Sequence, residues 1–208
     1  MIALQPLKGK ITFESEGAEG GPYHSRVLHV PTASSGLTIG RGYDMKLRLS
    51  VKISKDLNAT GLAQKEADFL AKAAGLAGQS AKDFIKKNKL EKFEITQQQQ
   101  VKLFNITYAE EEQETKRLCT NADVTAKYGR CNWQTLDSAI KQVLVDLKFR
   151  GDYTGGVRKF LQKHVVANDT KEFLKALSDK SNWMMQRVPA DRFQRRVTFF
   201  KANAVIKS

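Results

Sequence analysis

The residues best equipped for chemistry are two carboxylates and a hydroxyl set around a glycine-rich run. Glu14-Ser15-Glu16-Gly17 precedes Ser35-Gly36-Leu37-Thr38-Ile39-Gly40-Arg41-Gly42-Tyr43-Asp44. Closely spaced glycines let the backbone turn tightly, and such a hairpin can gather Glu16, Thr38 and Asp44 around one cleft. Hydrolysis of a glycosidic bond needs groups of this kind. One carboxyl group stays protonated to donate to the leaving oxygen, and a second group stays ionised to activate water or stabilise positive charge on the sugar. Spacing alone leaves a plainer reading open, a capped hairpin in which Thr38 fills a strand and Asp44 makes a turn hydrogen bond. Glu14 and Glu19 are rivals for the acid. On a helix Glu14 points about 200° away from Glu16, so the two cannot face one cleft; Glu16 is preferred because it directly precedes Gly17.

The remaining reactive side chains point to no cofactor. His24, His29 and His164 are far apart and lack the spacing of metal ligands, and two cysteines cannot complete a four-ligand site. No metal site is expected. His29 is near enough to the hairpin to touch a substrate. Cys119 and Cys131 flank a turn; they would pair only after export and stay reduced in the cytoplasm. Trp133 and Trp183 lie among apolar helix residues and read as core.

These groups must be positioned by the rest of the chain. At 208 residues with 41% apolar side chains the sequence can bury a core as a single domain spanning 1–208. Its character changes near residue 56. Residues 1–56 read as an N-terminal helix and an irregular β lobe, and 57–208 as a helical lobe with a cleft between the lobes, so the expected fold class is α+β. Thr60 is expected to cap a helix through Gly75. Ser80 with Asp83 and Thr96 with Gln99 look like capping boxes, and Asn132 is expected to open a core helix carrying Leu136, Ile140, Val143, Leu144 and Leu147. Helices are also expected over Val157–Val166 and Lys171–Leu177. After Pro189 a basic amphipathic helix should bury Phe193, Val197 and Phe200, leaving Arg192, Arg195, Arg196 and Lys201 solvated. The Glu110–Glu114 run reads as a solvated helix face.

A net charge of +13 calls for an anionic partner without naming it. The amino-terminal residues lack the charged flank of a signal peptide, and no stretch reaches the roughly 18 apolar residues of a transmembrane helix, so synthesis in the cytoplasm without a signal peptide is expected.

The sequence from Glu16-Gly17 through Ser35–Asp44 resembles the start of the bacteriophage-type lysozymes, in particular their pesticin-like branch. The likeness continues in Thr96 through Leu103-Phe104-Asn105, in Trp133 through Phe149-Arg150-Gly151, and in Phe173, Trp183 and Val188 through Phe200. The resemblance implies a lysozyme-like fold and a muramidase that cleaves the β-1,4 bond between N-acetylmuramic acid and N-acetylglucosamine. It implies Glu16 as general acid, Asp44 as second carboxylate and Thr38 as the hydroxyl that positions water, with inversion at the anomeric carbon. In the phage lysozymes proper the catalytic Asp precedes the Thr, where this chain has only neutral residues between Pro31 and Leu37; the role passes to Asp44, as in the pesticin-like branch. Tyr43 stands where those enzymes usually carry His.

The expected substrate is peptidoglycan glycan strands, met at the cell wall or in the periplasm after release or delivery, by a monomer with an immunity or delivery protein as a further partner. A phage endolysin, a bacteriocin domain and a secreted effector all fit. The alternatives are a lytic transglycosylase, or a basic module for nucleic acid or anionic membrane on a lysozyme-like scaffold. The basic carboxyl-terminal helix is the feature that favours that last reading, and no nucleic-acid partner is expected.

Overall fold

The computed structural model describes residues 4–21 and 24–205, with the backbone alone at Met185 and Gln186. The first residues of the amino terminus, on which the signal-peptide reading rests, lie outside this set. Among the described residues the fold is mostly helical with one small antiparallel sheet, an α+β arrangement. The helices are α1 (Lys10–Ser15), α2 (Ser50–Ala59), α3 (Gln64–Leu70), α4 (Gly78–Lys87), α5 (Gln97–Thr120), α6 (Ala122–Tyr128), α7 (Ser138–Arg150), α8 (Gly155–Ala167), α9 (Thr170–Ser178) and α10 (Ala190–Asn203), and the strands are β1 (Thr38–Ile39) and β2 (Tyr43–Asp44). The chain divides into two compact units, Met1–Thr107 and Tyr108–Ser208. Helices α2, α3 and α4 therefore share a unit with the hairpin; the composition shift near residue 56 marks only where turn-rich sequence gives way to helix.

In the first unit β1 pairs with β2 in the register Thr38↔Asp44 and Ile39↔Tyr43. The connection places Gly40 at φ 64° and Gly42 at φ 85°, left-handed conformations that glycine adopts without cost. Side chains alternate across a strand. Leu37, Ile39, Tyr43 and Met45 accordingly enter a core with Ile53, Leu57, Leu70, Ile95 and Leu103. Thr38 and Asp44, directly opposed, share the other face. His29 extends that face, its N–H donating to Thr38 O at 3.0 Å and its carbonyl accepting from Thr38 N at 2.8 Å.

Helix α2 falls where the sequence suggested the end of a β lobe, because Ile53 and Leu57 are the only apolar residues it buries and its N-cap Leu49 makes no side-chain cap. Thr60 closes α2 instead of opening a helix, its hydroxyl donating to Leu57 O at 2.6 Å, and α3 starts at Gln64. Ser80 accepts from Ala77 N–H at 3.1 Å, so α4 begins earlier than a Ser80 cap implies. The Thr96/Gln99 box forms as expected, with bonds of 2.9 and 3.1 Å in the two directions.

In the second unit α7 starts at Ser138, not at Asn132, because Asp137 caps it by accepting from Ala139 and Ile140 N–H. Its Ile140, Val143, Leu144 and Leu147 are buried as the stripe requires. Asp146, in the same stripe, is 0% exposed and accepts from Arg192 at 2.9 Å and Arg196 at 2.7 Å, both on α10. The basic face of α10 is thus not uniformly solvated. Arg192 and Arg196 turn inward to Asp146, with Arg196 also 2.8 Å from Asp152, while Arg195 and Lys201 stay exposed. Trp133 and Trp183 are buried, and Trp183 donates to Leu177 O at 2.8 Å. The Glu110–Glu114 run is not simply solvated: Glu111 pairs with Lys148 at 2.8 Å and Glu114 with Arg117 at 2.6 Å. Arg150 donates to Asp152.

Cys119 and Cys131 are free thiols, both buried. Tyr153 donates to Gln162, so the Cys119 S–H donates to Tyr153 Oη, 3.0 Å away. Burial is the main force pushing the Cys119 thiol up to about 12. A raised thiol pKa means the protonated, unreactive form at neutral pH. Cys119 should therefore resist a thiol reagent at pH 7 until denaturant is added, which mass mapping of labelled peptides reads directly; labelling of the native chain at the denatured rate contradicts this. Asp146→Ala leaves two buried guanidinium groups without their carboxylate and should cost about 3–5 kcal/mol in denaturant unfolding.

Candidate active site

Glu16 closes α1, where its backbone N–H donates to Thr12 O. The helix is short and buries Ile11, Thr12 and Phe13, so something outside it must hold its end. That role falls to Arg41, at the tip of the hairpin between Gly40 and Gly42. Its guanidinium donates to Phe13 O and, at 2.7 Å, to Gly17 O, and lies 4.0 Å from the centre of the Phe13 ring. The carbonyls on either side of Glu16 in sequence are therefore tied to the hairpin that carries Thr38.

A groove of about 590 Å³ opens there, lined among others by Ser15, Glu16, His24, His29 and Thr38. Two of the three residues singled out by sequence, Glu16 and Thr38, thus face one space, and His29 faces it too. Thr38 is 4% exposed and its hydroxyl donates to Gly36 O at 3.2 Å, which leaves its oxygen lone pairs free to accept.

Asp44 lies beside Thr38 in the cross-strand row, but both its oxygens accept backbone bonds: Oδ2 from Gly36 N at 3.0 Å and Oδ1 from Lys46 N at 2.8 Å. These bonds fix its orientation and make it a clasp for the hairpin ends, the turn hydrogen bond of the plainer reading. Gly36 is required for the clasp, because a Cβ there would lie 2.6 Å from Lys46 Cβ and 2.7 Å from Lys46 N. Tyr43, in the position that differs from the phage lysozymes, is fully buried and donates to Asp56 at 2.8 Å.

The rival acids are accounted for. Glu14 is exposed, pairs with Lys10 at 3.7 Å and lines a separate cavity of about 130 Å³. Glu19 is held by Arg26 at 2.8 Å and Gln100 at 2.6 Å, with Arg41 3.5 Å away. Burial acts to raise its carboxyl, but the hydrogen bonds and cationic charges outweigh it and hold Glu19 below the usual carboxylate range. An acid so held stays ionised at neutral pH and makes a poor proton donor.

Sequence reasoning missed the residues that brace this site. Ser25 donates to Gln100 at 2.8 Å, Gln100 reaches Glu19, and Arg26 joins Glu19 to Glu94. His24 accepts from Gly20 N–H through Nδ1 at 2.7 Å, so its proton sits on Nε2, 3.1 Å from Glu94. Ser25 and Gln100 are separated by 75 positions, which no local pattern reveals. Arg41 did carry a signal, a long cation set between two turn glycines.

Among the described residues no cluster of three or more His, Cys, Asp or Glu could hold a metal, and no helix is long and apolar enough to cross a membrane. Replacing Arg41 with Met strips donors from two carbonyls, at about 1–3 kcal/mol for each buried group left unpaired. Urea unfolding should show a loss of about 2–6 kcal/mol for the two carbonyls together, and amide exchange should rise in α1; unchanged α1 protection contradicts the clamp.

A search of curated proteins finds no match to the chain. A family model described as a domain of unknown function (DUF8812) matches residues 9–197. The match spans nearly the whole chain, the Glu16 and Thr38 groove included, and the chain belongs to that family.

Proposed function

We propose that this protein is a peptidoglycan muramidase, hydrolysing the β-1,4 bond between N-acetylmuramic acid and N-acetylglucosamine on a lysozyme-like α+β fold. The observation that carries the reading is the shared groove: Glu16 and Thr38, which occupy the acid and water-positioning places of the resemblance, line one space of about 590 Å³. That volume lies within the range of about 300–1,000 Å³ usual for small-molecule sites.

Glu16 gives its proton to the leaving glycosidic oxygen. Thr38 holds the water that replaces it. Asp44, in the same cross-strand row, supplies the second carboxylate, and its negative charge opposes the positive charge that develops on the sugar ring. The net charge of +13 suits a wall that carries carboxylates on its peptide stems and phosphate-rich polymers beside it.

A water-using reaction gives free reducing ends, whereas a lytic transglycosylase gives an anhydro product; the Thr38 hydroxyl, with its lone pairs open, favours the first. Glu16→Gln should abolish the clearing of purified cell walls, a loss of at least about 10²–10⁴-fold for removal of the general acid, while wall binding is retained. Raising salt should weaken that binding. Clearing by Glu16→Gln at the parent rate, in protein with an unchanged melting profile, contradicts the assignment.

A further inference from the structure

The groove holds a group that neither the resemblance nor the spacing of carboxylates assigns. His29 Nδ1 is 2.8 Å from Val27 O. A carbonyl only accepts, so Nδ1 carries the proton, and in the neutral ring Nε2 presents a lone pair. His29 and Thr38 form a directly opposed antiparallel pair with bonds in both directions. Their Cα atoms are then about 5.5 Å apart with side chains on one face, and both residues line the groove with Glu16. Among the described residues the remaining titratable groups around His29 are His24 in the groove and Asp44 at the far side of the Thr38 row. Nε2 of His24 faces Glu94, and both oxygens of Asp44 are bound by backbone amides. Among the described residues His29 is the groove base whose lone pair is not directed to another group.

We propose that His29 is a catalytic residue, the general base that removes a proton from the attacking water; this rests on the muramidase reading. The water donates one O–H to Thr38 Oγ1, whose own proton is committed to Gly36 O, and the other to His29 Nε2. Its lone pair is then left for the anomeric carbon. As the new C–O bond forms, the water proton passes to Nε2, the glycosidic C–O bond breaks, and the leaving oxygen takes the Glu16 proton. The products are a free reducing end, a Glu16 carboxylate and a His29 imidazolium, and solvent returns the proton from one to the other. Asp44 remains ionised throughout and acts through charge.

The test uses the full chain on purified peptidoglycan, scoring reducing ends, wall co-sedimentation and the pH–rate profile. His29→Gln keeps a polar end but cannot take a proton. It should lower turnover about 10²–10⁴-fold, keep wall binding, and remove the acid limb of the profile, since a general base acts only in its unprotonated form. His29→Ala should recover part of the rate with added imidazole, which a purely structural role would not produce, and His29→Asn, able to donate to Val27 O, controls for folding. Folded His29→Gln that clears walls at the parent rate, or keeps the acid limb, overturns the proposal alone while Glu16→Gln is dead. An active Glu16→Gln, or a parent that releases no reducing ends, overturns the muramidase reading and this assignment with it.

Discussion

Arg41 holds a full positive charge at 7% exposure, and the candidate site depends on how that charge is satisfied. Two main-chain carbonyls, the face of Phe13 and the nearby Glu19 surround it. A guanidinium so placed has little freedom to move, because leaving its partners strands a charge away from water. The hairpin tip and the end of α1 are therefore fixed to each other by one side chain. Glu16 lies between the two carbonyls that Arg41 binds, and Thr38 lies three residues before Arg41, so both candidate side chains inherit their placement from the clamp.

A similar device appears in the second unit, where Asp146 is surrounded by Arg192 and Arg196 inside the α7 and α10 packing. Each unit places an ionic group where an apolar one would fill the space. The two networks differ in what they hold. Asp146 joins two long helices, α7 and α10, by pairing with two arginines one helical turn apart on α10. Arg41 joins short elements, a six-residue helix and a pair of two-residue strands, by binding the main chain at the end of the helix.

The groove separates roles that carboxylates alone leave confused. Glu14, Glu16 and Glu19 are nearly equivalent as a string of letters, yet one is solvated, one faces the groove, and one is ionised within a cationic network. Asp44, opposite Thr38 in the cross-strand row, clasps Gly36 and Lys46 through backbone bonds that fix its orientation. A clasp of this kind lets a short hairpin keep a functional face without a larger sheet behind it.

Local chemistry is legible in the sequence wherever it is carried by neighbours in the chain. The turn glycines around Arg41, the Thr96/Gln99 capping box and the apolar stripe of α7 all act within a few residues, and each could be read from spacing. Glu16 and Thr38 were singled out by the same means, with the resemblance to the pesticin-like lysozymes supplying their roles. What the sequence could not contain was the company these residues keep. Ser25 meeting Gln100, Asp146 meeting Arg196, and His29 standing opposite Thr38 are set by packing between distant segments. The basic face of α10 differs from the expectation for that reason, since a helical wheel records which side a residue is on but not whether a buried carboxylate waits there. Tertiary structure decided which charges are buried, paired or left facing the groove, because desolvation and hydrogen bonding depend on neighbours in space and not on order in the chain.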